Sequence, residues 1–151
     1  LPAVDWLTNP SIAMWAIILT TVWWTAGYNM VVFLAGLQEI PSELYEAAIV
    51  DGCSAWQKFV YITLPTLRPI SFFVIVMSIA KSFQMFGQVF VMTQGGPSNS
   101  TLTLVQYLYM VAFRWYEMGY ASAVAYTLFL LLSIITVIQF RNYFRTESKT
   151  L

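Results

Sequence analysis

Between Asp5 and Glu39 the chain carries no charged residue. The predominantly apolar run from Ile12 to Gly36 is about 25 residues long, enough at roughly 1.5 Å per residue to cross a hydrocarbon core of about 30 Å. A second apolar stretch covers residues 70–92 with one charge, Lys81, near its middle, and a third covers residues 118–140 with none. This pattern predicts three membrane-spanning helices, at about 12–36, 70–92 and 118–140. Trp15, Trp23, Trp24, Trp115, Tyr116 and Tyr120 lie toward several span ends, where amphipathic rings favour the headgroup level.

The connection between the first two spans is patterned rather than irregular, and residues 41–65 read as two short helices with a hinge. Pro41-Ser42 starts the first, and Glu43 and Glu46 suit its positive N-terminal end. Gly52 is placed to end it in the left-handed conformation that other residues resist. Ser54, with Gln57 three residues on, fits a capping box that restarts the helix, and Leu64-Pro65 is expected to break the chain ahead of the second span. In the first short helix Leu44, Ala47, Ala48 and Asp51 recur at three- and four-residue spacing, giving a small apolar stripe bordered by acids. Helices that rest on a bilayer surface are usually rich in Lys and Arg. This one is acidic, which favours docking into a protein groove.

On a helical wheel Ser78, Lys81, Gln84 and Gln88 of the second span fall within about 120° of one another, opposite a face that includes Phe72, Val76, Phe83 and Phe90. A cation near the membrane middle costs at least about 2.5 kcal/mol, so Lys81 should face a water-filled cavity or a partner carboxylate. The stripe is therefore a candidate wall of a translocation path, with Gln84 and Gln88 as amide donors and acceptors for a solute. The alternatives for Lys81 are a structural pair with a helix of another subunit, or snorkelling of its ammonium toward the interface. In the third span Gly119, Ala121, Ser122, Ala123 and Ala125 are small residues that suit close helix packing. The segment Gly95–Thr101, rich in Gly, Pro, Ser and Asn, is a loop by composition, either a solvated connector or a contact for an external protein.

Composition supports lipid as the main solvent. Of the 151 residues 59% are hydrophobic and 9% charged, against about a quarter charged in soluble domains. A formal net charge of zero offers no basic surplus for nucleic acid. A single cysteine, Cys53, and no histidine leave the usual zinc and nucleophile-base arrangements without ligands, and no Gly-rich loop ending in Gly-Lys-Ser/Thr is present to bind ATP. The chain opens on Leu1 without a signal-peptide pattern and reads as a fragment. Arg141, Arg145 and Lys149 follow the third span, whereas Arg114 before it is partly offset by Glu117, so the positive-inside rule puts the C-terminus in the cytoplasm. Counting back, residues 37–69 are cytoplasmic, and residues 92–117 and 1–10 external.

Glu46-Ala47-Ala48, then Gly52, then Ile62-Thr63-Leu64-Pro65, resembles the Glu-Ala-Ala loop of binding-protein-dependent ABC importer permeases. Thr93-Gln94-Gly95-Gly96-Pro97, the run Thr103 to Tyr109, and Met118-Gly119-Tyr120-Ala121-Ser122-Ala123 resemble the carbohydrate-uptake branch of maltose, lactose and glycerol-phosphate type. The resemblance covers nearly the whole chain and implies an all-α polytopic protein of the bacterial or archaeal inner membrane, the C-terminal half of one permease. It also implies partners: a second permease subunit, a cytoplasmic ATPase dimer that binds the ATP this chain does not, and an external solute-binding protein delivering a sugar. By the resemblance, residues 41–65 form the coupling helix region that docks into the ATPase. Glu46 would pair there with a cationic or donor group, Ala47 and Ala48 would allow close approach, and Gly52 would set the turn, with Asp51, Leu64 and Pro65 completing the element. Cys53 stands where alanine is common in the family. An ion-gradient-driven transporter or channel is the rival reading, and it predicts no docking loop. A membrane enzyme is a poorer match to these side chains.

Overall fold

A computed structural model describes residues 5–147 of the chain, which leaves Lys149 outside the described residues. Every regular element among these is helical. Helix α1 (Pro10–Gln38) is the first long apolar segment. Short helices α2 (Ser42–Val50) and α3 (Ala55–Lys58) follow, and α3 runs on through a π turn at Phe59–Thr63 and a last α turn at Leu64–Thr66. Then come α4 (Arg68–Phe83) and α5 (Gly87–Met92), a loop, α6 (Leu104–Tyr109) with a π turn at Met110–Arg114, and α7 (Met118–Glu147). Three segments, Pro10–Gln38, Arg68–Met92 and Met118–Arg145, are long and apolar enough to cross a membrane. Their side chains face outward: Trp23 and Met30 are 76% and 70% exposed, a burden that water does not bear and lipid does.

The chain divides into two compact units, Trp24–Met77 and the flanking residues on either side of it. Within Trp24–Met77 the helices meet where Gly36, Ile40 and Leu67 are buried. A Cβ on Gly36 would overlap Ile70 Cδ1 and come within 3.1 Å of Leu67 Cδ2, so glycine is what lets α1 and α4 approach there. In the flanking unit Val111, Ala112 and Ala121 form a small core, with Tyr107 packed against it. Ala121 thus does the close packing expected of the small residues in the third span. Hydroxyls along the spans turn back onto their own helices: Thr20 donates to the Ala16 carbonyl, Ser122 to Met118 and Ser133 to Phe129.

The structure corrects three expectations. The second span is not one continuous helix: α4 ends at Phe83, residues 84–86 leave helical geometry with Phe86 at φ −132°, and α5 restarts at Gly87. The break ahead of the second span falls at Leu67, between Thr66 and Arg68, and not at Leu64-Pro65. The π turn before it routes the Leu64 amide to the Phe59 carbonyl, and the Thr66 hydroxyl takes the Ile62 carbonyl at 2.7 Å. Pro65, which has no amide to give, stands in the first turn of the short α segment Leu64–Thr66, where none is required. Finally, the connection between the second and third spans holds a helix of its own, α6, which the sequence pattern does not predict.

Candidate functional site

The segment between α1 and α4 is held by bonds that its own sequence supplies. Helix α2 ends in a Schellman arrangement: the Cys53 amide donates to Ala48 O at 2.9 Å, the Gly52 amide to Ile49 O at 3.0 Å, and Gly52 sits at φ +75°. No atom lies within 4 Å of a Cβ built on Gly52, so the demand for glycine there is purely conformational. One residue later the capping box is complete, with the Ser54 amide donating to Gln57 Oε1 at 2.7 Å and the Gln57 amide to Ser54 Oγ at 3.3 Å. The hinge between the helices is therefore two adjoining caps with no slack residue.

The two short helices are tied across the hinge by a contact that sequence reasoning missed. Tyr45 on α2 and Thr63 in the π turn share a hydrogen bond of 2.8 Å between hydroxyls, and Thr63 is buried. A bond between residues 18 apart leaves no local signature. Of the predicted stripe, Ala48 turns inward and is buried, while Leu44, Ala47, Glu46 and Asp51 are exposed, Asp51 as the cap of α2. Leu64 is exposed and Pro65 half-buried. The outward apolar surface is larger than the stripe: Val50 is 87% and Trp56 72% exposed, beside Ile49, with Trp56 and Phe59 rings 5.8 Å apart. A rigid hinge carrying bulky apolar side chains outward beside the Glu46 carboxylate is suited to pressing into another protein.

The polar residues of the second span are distributed by the break. Ser78 and Lys81 lie on α4, Gln84 in the turn that ends it, and Gln88 on α5, so the four do not share one helix face. Lys81 and Gln84 are exposed, and Ser78 and Gln88 half-buried. At the break the Met85 carbonyl accepts from the Thr103 hydroxyl at 2.8 Å. The Thr103 Oγ1 in turn caps α6 by accepting from the Gln106 amide at 3.3 Å. A threonine ahead of an apolar run is the one signal from which α6 was legible. The loop before it is closed by its own threonines, Thr93 and Thr101 sharing a 2.7 Å bond while Thr101 also donates to Gly96 O at 2.7 Å. Beyond α6, Tyr107 packs edge-on to Tyr120 at 6.5 Å, and its hydrogen bond with the Tyr120 side chain holds the Tyr107 phenol above its ordinary value.

Residues 2–147 match the family model described as the binding-protein-dependent transport system inner membrane component. The chain belongs to that family. Relatives of this permease family carry names that narrow it. The chain is 44% identical over 139 residues to a probable ABC transporter permease protein, YesP, of Bacillus subtilis, covering 91% of this chain and 45% of that protein. It is 39% identical over 140 residues to the lactose transport system permease protein LacF of Rhizobium radiobacter, covering 91% and 47%. It is also 39% identical over 138 residues to the arabinooligosaccharides transport system permease protein AraP of Bacillus subtilis, covering 91% and 44%. The chain therefore spans about half the length of these permeases. Its fold matches that of a bacterial ABC transporter involved in the import of the acidic polysaccharide alginate, with a TM-score of 0.83 at 24% identity over 94% of this chain and 50% of the other. The all-helical permease fold and the carbohydrate-branch resemblance stand on these matches.

Proposed function

We propose that this chain is the C-terminal part of a permease subunit of an ATP-driven sugar importer, in which residues 41–65 dock on a cytoplasmic ATPase. The observation that carries the reading is the pair of adjoining caps at Gly52 and Ser54. A hinge so fully bonded transmits a push rather than absorbing it. Glu46 and the exposed Ile49, Val50 and Trp56 are the groups offered to the ATPase, the small exposed Ala47 allows close approach, and Ala48 packs inward to hold the helix in place. ATP sits on the partner, and the chain transports rather than catalyses. Its C-terminus is cytoplasmic, its 93–103 loop faces an external solute-binding protein, and a second permease subunit completes the path. Ser78, Lys81, Gln84 and Gln88 contribute to that path, with the sugar class suggested by the lactose and arabino-oligosaccharide relatives.

The test is uptake by the full-length permease reconstituted with its ATPase and binding protein, using lactose and an arabino-oligosaccharide as probes. Uptake should require internal ATP and persist when ion gradients are collapsed. Uptake that runs without ATP and stops with the gradient would overturn the reading in favour of a secondary transporter.

A further inference from the structure

The break at residues 84–86 lies inside a segment apolar enough to cross a membrane, where lipid offers no partner to freed backbone groups and protein or a water-lined path must satisfy them. The Met85 carbonyl is nevertheless satisfied, by the Thr103 hydroxyl from the far side of the 93–103 loop. That hydroxyl also caps α6, so one side chain fixes both the break and the start of the helix beside it. The flank of the break is held by the same helix: the Tyr109 ring lies 5.2 Å from Phe86 and 5.5 Å from Phe90, which stack on each other at 5.2 Å. Lys81 sits in the last turn of α4 before the break, and Gln84 is the first residue of the break. We propose that Thr103 is a positioning residue, which sets the geometry of the 84–86 break and through it the placement of Lys81 and Gln84, tying the state of the 93–103 loop to the solute path. The consequence for transport rests on the reading of that path given above. The positioning itself does not.

The experiment uses the full-length permease in its assembled complex, with Cys53→Ser to remove the thiol of this chain and Gln84→Cys as a reporter. The rate of modification by a membrane-impermeant methanethiosulfonate is compared for Thr103, Thr103→Ser and Thr103→Val. Valine keeps the shape and loses the donor, so modification should speed up by roughly fivefold, the population shift expected from one lost net hydrogen bond. Serine should restore the rate. Equal rates for threonine and valine overturn the proposal. Should the valine variant not accumulate, Thr103→Ala is read in its place, and loss of both while serine accumulates shows a purely structural role and also overturns it. If the rate shifts as expected but the complex with the unsubstituted permease shows no ATP-dependent uptake of lactose or an arabino-oligosaccharide, the positioning stands and the transport reading falls.

Discussion

Gly52 and Gly36 both resist substitution, for opposite reasons. Gly52 has open space around it and a backbone that side chains resist, whereas Gly36 has no room for a side chain against Ile70 and Leu67. Replacing Gly52 by valine should therefore cost about 1–2 kcal/mol locally, through the left-handed conformation alone. The expected outcome is normal membrane insertion with ATP hydrolysis uncoupled from uptake, measured as the ratio of sugar moved to ATP consumed. Gly52→Asn, which tolerates the conformation, should keep most of the coupling. For Gly36→Ala the expectation is overpacking, on the order of 1–3 kcal/mol, read as a lower melting midpoint in detergent and relieved by Ile70→Ala in the same chain. At this scale the sequence was informative about Gly52, because a cap is a local affair. It was silent about Gly36, whose constraint comes from residues more than thirty positions away.

Elements show the same division. Both short helices and their hinge were legible, since Pro41, Gly52, Ser54 and Gln57 act within a turn of where they stand. Pro65 misled because it stands in the first turn of an α segment that restarts after the π turn, a position where proline's missing amide costs nothing. The Tyr45 to Thr63 bond makes the two helices one lever. Tyr45→Phe should cost about 1 kcal/mol and lower coupling without changing basal ATP hydrolysis. In a double-mutant cycle with Thr63→Val, the second substitution should add little to the first, and full additivity would show that the bond is not maintained in the complex. The second span was legible as a hydrophobic length but not as two pieces, because its break is stabilised by Thr103, a residue of another segment.

For the molecule as a whole, the proposed docking on an ATPase depends on the orientation of the 41–65 segment in the bilayer. With Cys53→Ser and Val50→Cys, a membrane-impermeant thiol reagent should label the permease only from the inner face, and binding of the ATPase should slow labelling by about tenfold as the helix is covered. Labelling from the outer face would place the hinge on the wrong side of the bilayer. The length, number and apolar character of the spans, and the caps of the hinge, were determined by the sequence alone, because hydrophobic length and terminal hydrogen bonds are properties of contiguous residues. The break in the second span and the close approach at Gly36 were decided only by tertiary structure. Each depends on a partner group that the chain brings from a distance: a hydroxyl for a stranded carbonyl, or a neighbouring helix where only a hydrogen fits.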